Sequence, residues 1–413
     1  MPKLMQVQLT DKKLLKNTEK IIKKYQLCDH CIGRIYAKVG TGQLNEERGK
    51  ILRENIDKTK KIAAKDCWLC NGTVDEVSHF VKLVENALKN YEYDTFVIGS
   101  KIDEDIIERE KEIINFSKSE YSESIKNELN REVGKVLEKK LKKEVNFEKP
   151  TIMVILDTSY DVVNLQIASL YIYGRYKKYS RSIPQTKWFC KICHGKGCRK
   201  CNYTGKIYDT SVEELVAKDI LKAAKGQDES FHGCGREDVD ARMLGNGRPF
   251  VLEIKNPVKR KIDLCTIGTK INNKYKDLIQ VNNLRFSDTD EVVRIKNASF
   301  RKIYRVKFKC NVKINNEKLK KVASSLRELR IGQLTPSRVA HRRADMVREK
   351  YIYNCTVESV DGTMAVLTLE AESGTYIKEL VSGDNGRTKP SITEMIQAPC
   401  TVTELDVIEI KGE

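Results

Sequence analysis

Apolar residues along the chain alternate between helical and extended spacing, a mixture that predicts an α+β protein. Leu14, Leu15, Ile21 and Ile22 mark a lysine-rich helix over 11–25. Val77, Phe80, Val81, Val84 and Leu88 repeat the helical spacing and lead into a short apolar strand at 95–99. Leu129, Val133, Val136, Leu137 and Leu141 predict a second amphipathic helix, which Pro150 separates from two strands at 151–156 and 161–167. Ser211, with Glu214 three residues on, starts a helix carrying Leu215, Val216, Ile220 and Leu221. A strand is expected at 251–254. From 304 to 310 the alternation is strict, with Tyr304, Val306, Phe308 and Cys310 on one face and Arg305, Lys307 and Lys309 on the other. Leu319, Val322, Ala323, Leu326 and Leu329 predict a helix. Residues 351–357 and 364–369, joined at Asp361-Gly362, predict a hairpin, and 374–381 should turn from strand into a short helix.

Cysteine spacing adds two centres to this pattern. Eight of the 13 cysteines form four Cys-x-x-Cys pairs. Cys28, Cys31, Cys67 and Cys70 make one tetrad across a long helical insert, and Cys190, Cys193, Cys198 and Cys201 make a compact second one. Two knuckles that each present two thiolates suit a closed, structural Zn²⁺ shell, so one zinc is expected and a second is consistent with the spacing. The other five, Cys234, Cys265, Cys310, Cys355 and Cys400, stand apart and read as small buried hydrophobes.

At 413 residues the chain exceeds one ordinary core. The organisation expected is a zinc-binding region at 1–73, an RNA-binding α/β module at 74–187, a four-cysteine insert at 188–206 and a last domain at 207–413. Lys plus Arg outnumber Asp plus Glu by 76 to 58, a net charge of +18, which favours a polyanionic partner such as nucleic acid. The run 170–184 interleaves Tyr171, Tyr173, Tyr176 and Tyr179 with Arg175, Lys177, Lys178 and Arg181, a composition suited to stacking bases and neutralising phosphates. Arg338, His341, Arg342 and Arg343 form a second basic run. No apolar run approaches the length needed to cross a bilayer and the N-terminus lacks a signal-peptide core, so a cytoplasmic protein is expected.

The stretch from Gly233 to Phe250 concentrates three acids and three arginines between glycines, which predicts a mobile polar loop. Glu237, Asp238 and Asp240 sit beside Arg236 and Arg242, so a carboxylate there can be held ionised as a nucleophile. Composition does not choose among the three acids.

Gly235-Arg236-Glu237-Asp238 resembles the Gly-Arg-x-Asp motif of pseudouridine synthases. Gly374-Thr-Tyr-Ile-Lys378 resembles their third motif, and Tyr304 opens a strand as in their second. With 173–181 and the N-terminal cysteines, nearly the whole chain is similar to the archaeal and eukaryotic tRNA pseudouridine synthases with a THUMP-containing N-terminal domain, the Pus ten family. The resemblance implies a zinc-stapled, THUMP-like RNA-binding domain followed by a synthase domain with a mixed, largely antiparallel sheet flanked by helices. It implies isomerisation of tRNA uridines in the T-loop, at positions 54 and 55, without an organic cofactor or an obligatory protein partner. Asp238 would be the nucleophile acting on a flipped nucleotide. Tyr304 would stack on the base, Ile377 would pack beneath it, Lys378 would hold Asp238 ionised, and Arg236 and Arg242 would contact RNA or orient the acid. The second tetrad departs from the family pattern. A zinc-containing, non-catalytic tRNA-binding or chaperone protein is the alternative.

Overall fold

A computed structural model of the chain describes residues 8–40, 42–56, 60–340 and 344–412. The chain divides into two units, 1–168 and 169–413. In the first, Asp11 accepts the amide protons of Lys13 and Leu14 to start the helix Lys12–Lys24, whose Leu14, Thr18 and Ile21 are buried. Helix Val77–Leu88 buries Phe80, Val81, Val84 and Leu88 as its spacing predicts, and helix Ile125–Leu141 buries Leu129, Val133 and Leu137 but leaves Val136, expected on the same face, exposed. The sheet runs in the order 144–145, 95–101, 152–157, 162–167, parallel except for the last pair. Cys28, Cys31, Cys67 and Cys70 belong to the same core as Phe80, Phe96 and Val154, so the cysteine region is continuous with the module that follows.

Two short helices in this unit touch backbone to backbone. A Cβ added to Gly33 would lie 1.8 Å from the carbonyl oxygen of Asn45, and one on Gly49 would lie 1.8 Å from that of Asp29. The contact joins the helix Asp29–Arg34, which starts at the first cysteine pair, to the helix Asn45–Glu54. Arg53 crosses the same junction to Asp29 at 2.7 Å.

The second unit is built on one ten-stranded sheet. Its order is 388–389, 329–334, 347–361, 364–371, 302–310, 400–410, 242–255, 170–178, 279–287, with 228–233 also paired to 242–255. Neighbours are antiparallel except at the centre, where Arg242 and Met243 pair in parallel with Asp406 and Val407 over two residues only. The strand Lys302–Cys310 keeps the alternation expected from its sequence and adds one position to its buried face, Lys302. Ser211 caps the helix Val212–Ala224 through the Glu214 amide.

Several expectations are revised. The tyrosine- and lysine-rich run belongs to the second unit: Leu170–Lys178 is an inner strand with 242–255 on one side and 279–287 on the other, so the boundary falls at 168/169, ahead of the cysteine insert. Being paired along both edges and covered on both faces, that strand buries Tyr173, Tyr176, Arg175 and Lys178. Ser373 and Gly374 form a turn in place of a strand, and after Thr375 and Tyr376 the helix Ile377–Ser382 begins. Cys310 and Cys400 are joined as a disulfide across adjacent strands, and Cys265 is exposed, so the isolated cysteines are not uniformly buried thiols.

The substitution Gly49→Ala is expected to destabilise the first unit by at least about 1–3 kcal/mol, because backbone rather than a pliable side chain opposes the added methyl. Urea denaturation of the full chain followed by far-UV circular dichroism measures it; an unchanged first transition contradicts the close approach.

Candidate active site and metal centres

Between the strands Asp228–Gly233 and Arg242–Lys255, residues 234–241 form a tight turn. Gly235 takes φ +76°, a conformation a side chain disfavours. The turn is anchored from below by buried polar side chains. Arg248 and Glu237, each about 1% exposed, pair at 2.8 Å, and Arg248 also donates to the carbonyl of Cys234 at 2.6 Å. The Tyr176 hydroxyl donates to Glu237 at 2.8 Å, and the Gln185 amide donates to that hydroxyl at 2.8 Å and to the carbonyl of Gly235 at 3.0 Å. Lys178 donates to the carbonyls of Asp238 and Val239 at 3.2 and 2.7 Å, and Arg181 donates to that of Asp240 at 2.8 Å.

These bonds revise four sequence expectations. The turn is pinned at five backbone carbonyls, so it is not a loose loop. Glu237 is a buried anchor and faces away from solvent. Arg175 donates to the carbonyls of Asn246 and Gly247 at 2.8 Å each, and Lys178 is fully buried with its amine pulled down to about 8 by desolvation, so neither can grip phosphate. Arg181 pairs with Asp406 at 2.6 Å and Arg242 with the same carboxylate at 3.4 Å, beside the parallel junction of the sheet. Lys177 remains partly exposed.

Asp238 is an acid of the turn that lines a cavity, whereas Asp240 is exposed. The Asp238 carboxylate meets Arg338 at 3.0 Å and Lys378 at 3.3 Å, and Lys378 also holds Asp240 at 2.8 Å. Asp240 is kept low by that amine against the opposing effect of desolvation. Arg338, expected to contact RNA, is fixed at 2.6 Å on Glu379, one residue beyond Lys378. His341, Arg342 and Arg343 lie outside the described residues. Gln333, fully buried, donates to the carbonyl of Tyr376 at 2.9 Å and accepts its amide proton at 2.8 Å, which sets the start of the helix bearing Ile377 and Lys378.

Asp238, Tyr304, Ile377, Lys378 and Arg338 line one cavity of about 580 Å³. Tyr304 and Ile377 supply its apolar walls, and burial pushes the Tyr304 phenol up to about 12. Arg236 lies on the rim with its guanidinium 4.9 Å from the ring centre of Trp188, at the foot of the cysteine insert. Sequence patterning missed Arg248, Gln333 and Lys302; of these only Lys302 carried a signal, two residues ahead of Tyr304 on the same strand face.

Each cysteine tetrad could hold a metal ion, its four sulfurs lying within 4.8 Å of one another. Measured edges are 3.8 Å for Cys28–Cys70, 3.9 Å for Cys190–Cys198 and 3.8 Å for Cys193–Cys201. Backbone amides of Cys28, Gly197 and Gly205 point at sulfurs of Cys67, Cys193 and Cys201 at 3.2–3.3 Å, as thiolates require. The first tetrad is buried; the second is largely surface-borne.

The family model "Pus10, C-terminal" matches residues 171–411, and "Pus10 THUMP domain, archaeal" matches 80–157. The tRNA pseudouridine synthase Pus10 of Methanothrix thermoacetophila is 37% identical, with 97% of this chain and 95% of that one covered. The protein of the same name from Methanocaldococcus jannaschii is 42% identical over 94% and 93%. A crystal structure of a Cbf5-Nop10-Gar1 complex overlaps 48% of this chain and 45% of that chain at 15% identity, with a TM-score of 0.31, too loosely to inform the site. The fold and these matches define a pseudouridine synthase, an isomerase, preceded by a THUMP domain. The chain belongs to the Pus10 family of tRNA pseudouridine synthases.

Replacing Glu237 by Gln leaves the Arg248 charge buried without its counter-ion and is expected to cost about 3–5 kcal/mol. Adding Arg248→Met to that variant should restore at least half of the loss, since no lone charge then remains. Equilibrium unfolding in urea reads both values; equal stability of wild type and Glu237→Gln refutes the anchoring role.

Proposed function

We propose that this enzyme isomerises uridine in the tRNA T-loop, at positions 54 and 55, with Asp238 as nucleophile. The observation that carries the reading is the convergence on one cavity of Asp238, Tyr304, Ile377 and Lys378, which lie far apart in sequence. Among the three acids of the turn, Glu237 is buried in an ion pair and Asp240 is taken up by Lys378, which leaves Asp238 beside the aromatic wall. Arg338 and Lys378 lie against its carboxylate at 3.0 and 3.3 Å and hold it in place at the cavity.

The target nucleotide leaves its stack and enters the cavity, with its base against Tyr304 and Ile377. Asp238 bonds to C1′ as the C1′–N1 bond breaks and its electron pair passes to uracil. The ring turns, C5 bonds to C1′ and displaces the carboxylate, the proton on C5 departs, and N1 takes one up. Atoms and charge balance without a redox partner or organic cofactor. Arg236 on the rim is placed to follow the opened strand, and Lys177 is available to backbone phosphate. The cytoplasm, where tRNA and reduced thiols coexist, is the matching compartment.

Both tetrads suit Zn²⁺. A tetrahedron with Zn–S bonds of about 2.3 Å has edges of about 3.8 Å, the spacing of these sulfurs. The first would hold together the core of the N-terminal unit, and the second would rigidify the insert beside Arg236. Neither tetrad has an open position for catalysis by the metal.

Pseudouridine mapping on unmodified tRNA is expected to give product with the wild type and none with Asp238→Asn, while tRNA affinity stays within a few-fold. Product from both enzymes removes Asp238 from the reaction, and binding without product from either supports a chaperone instead. Elemental analysis should return two zinc ions per chain. Exhaustive chelation should unfold the first unit, whose core includes its cysteines; a folded chain that contains no zinc overturns the metal assignment.

A further inference from the structure

Lys302 is a cation where the sheet calls for an apolar residue. The strand Lys302–Cys310 alternates buried and more open positions, and Lys302 shares its buried face with Tyr304, Val306, Phe308 and Cys310. The side chain is 6% exposed, yet its ammonium has three protons and one hydrogen-bond acceptor, Ser373 Oγ at 3.1 Å. Among the described residues no carboxylate is paired with it. Arg248, itself committed to Glu237, and Lys350, committed to Glu372 at 2.9 Å, oppose its charge, while the Cys234 thiol acts the other way. Burial and Arg248 together pull the amine down to about 8. Burying an ammonium with two unmatched protons is costly unless something arrives to accept them.

The place from which a partner can arrive is the cavity itself, whose lining includes Lys302, Ser373, Tyr304 and Asp238. Lys302 and Tyr304 stand two residues apart on the same buried face of their strand, and the Lys302 amine lies beside Gly235 at the start of the turn that carries Asp238. A base stacked along Tyr304 with its sugar at Asp238 has its far edge in the cavity that Lys302 also lines. In uracil that edge carries O4, an acceptor; in cytosine the same position carries an amino group, a donor.

We propose that Lys302 contacts the flipped base directly, donating to O4 of uracil. This rests on the assignment of Asp238 as the group that meets the sugar. The contact accounts for the unmatched protons of the amine, selects uridine over cytidine, and places positive charge on the ring when it carries the electron pair released from C1′. The last effect makes Lys302 worth more during the reaction than in the ground state.

The experiment is a crossed comparison under single turnover, using a T-arm stem-loop RNA whose target is either uridine or 4-thiouridine, sulfur being the weaker acceptor. In wild-type protein, 4-thiouridine should react roughly 10-fold more slowly, and Lys302→Met should slow uridine by roughly 10- to 100-fold, the scale of one charge-assisted hydrogen bond. In Lys302→Met the two substrates should react at nearly the same rate, because the contact has already been removed. Lys302→Gln, which keeps a donor, should recover part of the uridine rate and supplies a second variant if Met disturbs folding, which thermal unfolding reports. A folded Lys302→Met enzyme that reacts with uridine at the wild-type rate, or keeps the full 4-thiouridine penalty, overturns the proposal. Asp238→Asn run alongside separates the two assignments: loss of all turnover there, with no coupling at Lys302, leaves the nucleophile standing and removes only the O4 contact.

Discussion

The buried pair between Glu237 and Arg248 is the constraint on which the active-site turn depends. Two charges taken out of water stabilise a fold only when their geometry is good and their remaining donors and acceptors are matched. Here Tyr176 completes the carboxylate, and the carbonyl of Cys234 takes a second proton of the guanidinium. The pair thus closes a ring around residues 234–237, and Asp238 emerges from it with little freedom. A side chain held in this way has its orientation settled before any ligand arrives.

The sheet explains why the anchors lie where they do. Arg248 and Tyr176 sit on adjacent antiparallel strands and are directly paired in register, so one ladder delivers both partners of Glu237 to the floor of the turn. Immediately beside the turn, the parallel pairing of 242–243 with 406–407 lasts only two residues, and the cavity is lined there by Leu405 and Val407. Tyr304, Asp238 and the helix Ile377–Ser382 reach this cavity from three separate segments. Rigid strands carry the aromatic wall, and short-range hydrogen bonds fix the charged groups.

Charge is organised in two layers around this site. An outer layer of Arg338 and Lys378 faces the carboxylate of Asp238, while an inner layer of Arg248, Lys178 and Lys302 lies beneath the turn. Of these inner cations Arg248 is paired with a carboxylate, Glu237, while Lys178 donates to carbonyl oxygens and Lys302 to the Ser373 hydroxyl. Such a floor attracts an electron-rich ligand and resists a cationic one.

Periodicity alone determined the amphipathic helices 77–88 and 125–141 and the strand from Tyr304 onward, because each carries an apolar face, but it ran the helix marked by Leu319 on to Leu329, whereas that helix ends at Ser325 and Leu329 opens the next strand. The cysteine tetrads were also legible, since knuckle spacing is a local property, and the motif register singles out Asp238 among the three acids of the loop. Only tertiary structure decided the role of the basic residues. A lysine or arginine reads the same in sequence whether it meets phosphate or a buried carbonyl, so Arg175, Lys178 and Arg338 were assigned to RNA, and the strand 170–178 was placed in the wrong unit. Pairing along both of its edges buries it, and that pairing arises from partners about 70 to 115 residues away. For the same reason Glu237 looked interchangeable: its partner Arg248 and the hydroxyl of Tyr176 meet it only once the sheet has formed.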